Sequence, residues 1–363
     1  MMKRKRIIKY IIICFILVVV LSSCKKKEVE ETLGREKLCY EFLVSQMIQQ
    51  DGGIKSNYIQ RSYELEWARG NEVLSESQGL GMQYFLEMRD QENYDKLLNF
   101  VKKVMNQKEG LSYRYTPNTG QAWNINALID DLRIIDALLE GGEVFESKKY
   151  TRLAKKWSNR LYETNVRDNK LYDFYDWELE MGNEFITLCY IDLNTLSKLS
   201  EYDLRWKDVK EEAGKIVEEG YIGDHFPMFK TRYNYTTNQY EVGESINMVE
   251  ASLTVLHLVE ADYDAKEAVN FLRERVAQGN LYTHYSLEGE PVTEIQSTAL
   301  YAICAMIASE IGDKEFYEES IAQMSKWQVL NSESKIYGAF GNESNLEVYS
   351  FDNLMALLAY RKE

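Results

Sequence analysis

The sequence predicts an all-α protein built from helix–loop–helix pairs, and three observations predict it. Apolar residues beyond position 33 recur at the helical period, Gly, Asn, Asp and Pro punctuate the gaps, and no βαβ alternation is visible. Candidate helices fall at 33–50, 59–69, 76–90, 93–107, 126–140, 146–163, 181–199, 206–218, 245–260, 264–277, 293–311, 313–328 and 351–361. Within 93–107, Tyr94, Leu97, Leu98, Val101 and Val104 form one apolar stripe. Ala299, Ile303, Met306 and Ile307 do the same near the C-terminus. Turn residues mark the connections at Asp51-Gly52-Gly53, Pro117 to Gly120, Glu140 to Gly142, Gly220 to Gly223 and Gly338 to Gly341. Such pairs close into an α/α toroid or stack into an α-solenoid. No repeat of fixed period is visible, which disfavours TPR and HEAT arrays. The connections 108–125, 164–180, 220–243, 278–292 and 329–350 are long and rich in Tyr, Trp, Asn and Asp. Long ordered loops are usually functional, and these suit a cleft at one end of a barrel.

Residues 1–24 read as a secretory leader. Lys3, Arg4, Lys5, Arg6 and Lys9 precede an apolar run from Ile11 to Leu21, then Leu21-Ser22-Ser23-Cys24. As a helix that run reaches only ~16 Å, short of a ~30 Å hydrocarbon core. Leu-Ser-Ser-Cys resembles the lipobox of bacterial lipoproteins, which implies lipidation at Cys24 and a membrane partner through that anchor. Residues 25–32, opening with Lys25-Lys26-Lys27, read as a polar tether with lysines near anionic headgroups. The expected location is the outer face of the cell membrane.

Residues 33–363 are ample for one large core. Net charge is −15, which argues against nucleic acid, where Lys and Arg must neutralise phosphates. Cys39, Cys189 and Cys304 are odd in number and show no pairing pattern, so packing must hold the protein together. His225, His257 and His284 lack metal-ligand spacing; neither metal nor cofactor is expected. Neither a Gly-x-Ser-x-Gly elbow nor a phosphate loop occurs. The expected state is a monomer.

Ser75-Glu76-Ser77-Gln78-Gly79-Leu80-Gly81-Met82 carries the most information. Ser75 with Gln78 reads as a capping box, and Glu76 suits the positive end of a helix. Neither explains Gly79 and Gly81, each costing ~1 kcal/mol relative to Ala inside a helix. Two such glycines suggest a close approach to the backbone.

The segment resembles the Ser-Glu-Gly-Gln-Gly-Tyr-Gly-Met signature of glycoside hydrolase family 8, differing at Ser77 and Leu80. The resemblance implies an (α/α)6 barrel and places the family's general acid on Glu76. Asp131-Leu132-Arg133-Ile134-Ile135-Asp136-Ala137-Leu138 is similar to the family's Asp-Leu-Asp-Ile-Ala-Tyr-Ala-Leu helix. That maps the sugar-contacting Asp onto Asp131 and puts Arg133 where the family has a second Asp. An inverting enzyme also needs a carboxylate to activate water, ~6.5–9.5 Å from the acid. Glu250-Ala251 is the nearest equivalent of the family's late Asp-Ala pair, with Glu241 and Glu244 upstream. Glu250 shares a polar stripe with Asn247, Thr254 and His257.

Expected substrate contacts are Gln78, Trp123, Asn126, Asp130, Tyr175, Asp176, Trp177 and Asn247, with Tyr172, Phe174, Tyr233 and Tyr235 as further rings. The expected function is lipid-anchored, inverting hydrolysis of β-linked polysaccharide, exopolysaccharide or β-glucan. Rival readings are a non-catalytic glycan-binding lipoprotein, a lyase or unsaturated glucuronyl hydrolase on an α/α toroid, and an α-solenoid scaffold for protein partners.

Overall fold

The computed structural model describes residues 32–60 and 70–362; the leader, Cys24, the tether up to 31 and most of the 59–69 candidate helix lie outside the described residues. Twelve α-helices occur among those described. They are α1 (32–42), α2 (Ser75–Glu87), α3 (Gln91–Phe100), α4 (Leu128–Val144), α5 (Lys148–Asn165) and α6 (Leu193–Tyr202). Then come α7 (Arg205–Glu219), α8 (Met248–Glu260), α9 (Lys266–Gln278), α10 (Thr298–Glu310), α11 (Lys314–Ser325) and α12 (Ser350–Tyr360). The even-numbered helices form an inner ring: each packs on the next, and α12 returns to α2. This closure makes an (α/α)6 barrel and rules out an open solenoid. No described helix is long and apolar enough to cross a membrane.

Side-chain chemistry decides which helix sits inside. α10 is buried without a break from Thr298 to Ala308. A helix apolar all round must be surrounded by protein. α5 buries only Tyr150, Ala154, Trp157, Ser158, Leu161 and Asn165, one stripe on an otherwise basic helix, and lies outside against α4. Each large apolar side chain so buried contributes about 1.5–3 kcal/mol.

Short antiparallel strands gather where the inner helices begin. β1 (Val73–Leu74) runs directly into α2 and pairs with β2 (Arg114–Thr116), which pairs with β3 (Gln121–Ala122). Phe185–Thr187 pairs with Arg232–Asn234, and Ile246–Asn247, leading into α8, pairs with His284–Tyr285. The expected helix over 181–199 is therefore wrong in its first half. Met181–Gly182 and Phe185–Thr187 are strands, Leu188–Tyr190 is a 3-10 turn, and α6 starts at Leu193. Short apolar runs satisfy both periods, and pairing with 232–234 decided this one.

The expected capping box does not form. The Gln78 side chain is buried, accepting from Ile54 N at 2.8 Å and donating to Gly52 O at 3.1 Å, while Ser75 bonds across to α4. The two glycines have a packing reason. A Cβ on Gly79 would lie 3.1 Å from Arg133 Cβ and 3.3 Å from Ile134 Cγ1; on Gly81 it would lie 2.7 Å from Ile54 Cδ1. What approaches the backbone of α2 at Gly79 is helix α4. Gly79→Val should push the two helices apart, lowering stability by about 1–3 kcal/mol. A urea midpoint unchanged from wild type would contradict this.

Candidate active site

A cavity of about 390 Å³ opens at the end of the barrel where the inner helices begin. Glu76, Asp130 and Arg133, Asn247 and Glu250, and Phe351 line it from α2, α4, the start of α8 and α12. Tyr113 just before β2, Arg114 of β2, and Cys189 and Tyr190 of the 3-10 turn also line the wall. The carboxylates share one structural address: Glu76, Asp130, Glu250 and, beside Glu76, Asp352 each sit in the first turn of an inner helix.

Glu76 has a carboxyl pushed up to about 7. Burial is the main cause; Asp130 and Asp352 add to it, and Arg133 opposes it. An acid with a pKa near the working pH can hold a proton and release it. Asp130 is clamped instead. Ser75 Oγ donates to its Oδ2 at 2.7 Å and Arg133 Nη1 to its Oδ1 at 3.2 Å. Burial leaves its pKa raised above the ordinary aspartate value, though Arg133, Ser75 and the backbone N–H of Glu76 offset part of that rise. Glu250 is half-buried, receives Asn247 Nδ2 at 3.4 Å, and is raised by burial. Arg114 is spent on Glu72 at 3.1 Å, both side chains being buried.

Asp131 does not line this cavity. One step along a helix turns a side chain by ~100°, so Asp131 points elsewhere. It accepts from Asn126 Nδ2 at 2.9 Å and borders a small space beside Trp157 and Arg160. The α4 carboxylate beside Glu76 is Asp130, and the mapping of a sugar contact onto Asp131 is corrected accordingly. Asn126 is likewise internal, bonded to Asp131, to Asn165 at 2.8 Å and to Tyr175 N at 2.8 Å. Gln78 is buried beneath α2. Asn247 does line the cavity, and its Oδ1 caps α8 by accepting from Val249 N at 3.0 Å.

The expected rings divide. Trp123 stands one layer behind the wall, beside Tyr113 with ring centroids 6.4 Å apart and under the Arg114 guanidinium at 5.4 Å. Tyr175 and Asp176 pair with Met181–Gly182; Asp176 Oδ1 caps the turn by accepting from Glu178 N and Leu179 N, and Trp177 Nε1 donates to Asn124. None of these three lines the cavity. Tyr172, Tyr233 and Tyr235 pack on one another. Glu241 is paired with Arg232 at 2.6 Å and Glu244 is exposed.

Sequence reasoning missed Tyr190, Asp352 and the position of Arg133. Asp352 was open to the same first-turn rule that singled out Glu76. Tyr190 was hidden by the mistaken helix over 181–199. Among the described residues, no group of three or more His, Cys, Asp or Glu side chains could hold a metal ion.

A closed (α/α)6 barrel with Glu76, Asp130 and Glu250 around a cavity at its mouth fits the glycoside hydrolases. The model for glycosyl hydrolases family 8 matches residues 18–171. An alpha-amylase from Clostridium perfringens superposes with a TM-score of 0.85 at 31% identity, covering 90% of this chain and 97% of that one. The lipoprotein YdaJ of Bacillus subtilis is 25% identical over 293 residues, 80% of this chain and 79% of its own. The family 8 endoglucanase Cel10 of Klebsiella pneumoniae shares the fold at a TM-score of 0.62 and 16% identity, covering 79% and 96% of the two chains. The chain belongs to glycosyl hydrolase family 8.

The Glu76 shift has a consequence for stability. Between its ordinary value of 4.5 and about 7, the folded protein keeps a proton that the unfolded chain has lost. Stability attributable to this group therefore falls as pH rises through that window. Glu76→Gln removes the effect, so its Tm relative to wild type should climb from pH 4.5 to pH 8. A pH-independent difference in thermal melts would show that Glu76 titrates normally.

Proposed function

We propose that this protein is a lipid-anchored, extracytoplasmic glycoside hydrolase that cleaves polysaccharide with inversion, Glu76 protonating the departing glycosidic oxygen. The observation that carries the reading is the Glu76 carboxyl, held near 7 in a cavity that Glu250 also lines. Two carboxyl groups can split acid and base duties when their surroundings differ. Glu76 faces Asp130 and Asp352, which favour its protonated form; no such neighbour raises Glu250. Glu250 is the proposed base, taking a proton from the attacking water. Asp130 replaces Asp131 as the carboxylate offered to hydroxyls of the sugar at the cleavage point, and Asn247 is a second contact.

The leader, the Cys24 lipobox and the similarity to a Bacillus lipoprotein support anchoring, which points to a polymer of the cell's own envelope. A β-linked chain is the first substrate to try. The 31% identity to a protein described as an alpha-amylase favours a second reading, an α-linked glucan.

Glu76→Gln should lose about 10²–10⁴-fold in release of reducing ends, with an unchanged circular dichroism spectrum. Cellulose, xylan, chitosan and soluble starch form the panel. Wild-type activity should follow a bell-shaped pH profile whose alkaline limb lies near 7 and whose acid limb, set by Glu250, lies above the ordinary glutamate range. NMR of the first product should show the inverted anomer. Substantial activity in Glu76→Gln, or a retained anomer, would refute the mechanism, and an unsaturated ultraviolet-absorbing product would indicate a lyase.

A further inference from the structure

Arg133 stands where the family pattern has an Asp, and it lines the same cavity as Glu76. Its Nη1 lies 3.2 Å from Asp130 Oδ1, it is nearly fully buried, and its Cβ is the atom a side chain at Gly79 would meet first. It also lines a second cavity deeper along the barrel axis, with Asp136, Asp192, His257 and Glu260. The guanidinium is therefore a fixed cation between two acidic spaces.

We propose that Arg133 is a positioning residue for the acid: through its ion pair it keeps Asp130 ionised and leaves the transferable proton on Glu76. This rests on reading Glu76 as the acid. Glu76 and Asp130 line one cavity, and two buried carboxyl groups so placed titrate as a pair, with one proton held to higher pH than either would hold alone. The proton can then sit on either. Asp130 accepts from Ser75, from Arg133 and from the Glu76 N–H, and each of these bonds favours its anion. The remaining charged or titratable groups facing the pair are Asp352 from α12, Glu250 from α8, Cys189 and Tyr190 from the 3-10 turn, Tyr113 just before β2, and Arg114 from β2. Arg114 is already paired with Glu72. Arg133 is thus the cation that discriminates between the two carboxyl groups. It has a second effect, since Glu76 becomes a carboxylate beside Asp130 once its proton is given up, and the same guanidinium offsets that charge.

The test compares wild type, Arg133→Met, Arg133→Lys, Asp130→Asn and the Arg133→Met/Asp130→Asn double variant. Infrared difference spectra at pH 6 need no substrate. In wild type, Glu76→Gln should remove a protonated-carboxyl band and leave Asp130 ionised; in the Arg133→Met background, the same substitution should leave one such band, now carried by Asp130. On whichever panel polymer the wild type cleaves, Arg133→Met should lower kcat roughly tenfold or more, since one pKa unit is tenfold in proton occupancy, with KM little changed. Arg133→Lys should restore most of the loss. The double variant buries no unpaired charge, and in the Asp130→Asn background Arg133→Met should cost almost nothing further, the signature of two residues acting as one unit. An equal cost with and without Asp130, or a wild-type carboxyl band that belongs to Asp130, would overturn the proposal. Full activity of Glu76→Gln would instead refute the acid reading itself.

Discussion

The close approach of α4 to α2 at Gly79 is the contact on which the site depends. With no side chain at that position, Arg133 and Ile134 of α4 press against the backbone of α2. The same approach puts Ser75 within 2.7 Å of Asp130 and brings Asp130 and Arg133 under Glu76. The surroundings of Glu76 and its closeness to the Asp130–Arg133 pair both depend on this one helix–helix approach. Gly81 performs the matching service toward Ile54 and Leu97, on the side where Gln78 ties the loop at Gly52 to α2.

A second constraint comes from running all inner helices in the same direction. The N-termini of α2, α4, α8 and α12 border the cavity, each with the positive end of its dipole, and first-turn carboxylates are favoured there. At Glu76 desolvation outweighs that attraction and the proton stays on. At Asp130 the hydrogen-bond donors of Ser75, Arg133 and Glu76 counter the same desolvation. Two carboxyl groups on neighbouring helices thus acquire different surroundings, Asp130 ion-paired and Glu76 not. Perturbation by itself does not mark the site. Asp136 is raised to about 7 and Glu260 to about 8 around the deeper cavity, mainly by burial with added repulsion from Asp192 and, in turn, Glu140 and Glu310, yet they lie on the far side of Arg133. Position at the mouth of the inner ring separates Glu76, the proposed acid, from these carboxyls around the deeper cavity.

Arg133 takes on a different meaning once packed. In the sequence it is a departure from the family pattern and an argument for a degraded site. In the fold it is buried, satisfied by Asp130 and adjacent to the acid, which is a built arrangement rather than a relic.

Periodicity alone determined the helical class and most helix positions, because an amphipathic outer helix such as α5 and an all-apolar inner helix such as α10 each write their burial into their own residues. Glu76 and Asp130 were open to the first-turn rule, whereas Glu250 was reached only through the family's late Asp-Ala pair, because the expected helix began at 245 and α8 begins at Met248. Tertiary contacts decided the rest. Which of Asp130 and Asp131 meets Glu76 turns on ~100° of helix rotation, and their adjacent, identical residue type hides it. Asn126, Asp176, Trp177 and Gln78 offer the groups a sugar would want, but those groups are consumed by internal bonds that no sequence spacing reveals. The stretch before α6 became strand because a partner strand lies more than forty residues away. Long-range pairing and the direction of a side chain across a cavity depend on neighbours remote in the chain, and only the assembled barrel supplies them.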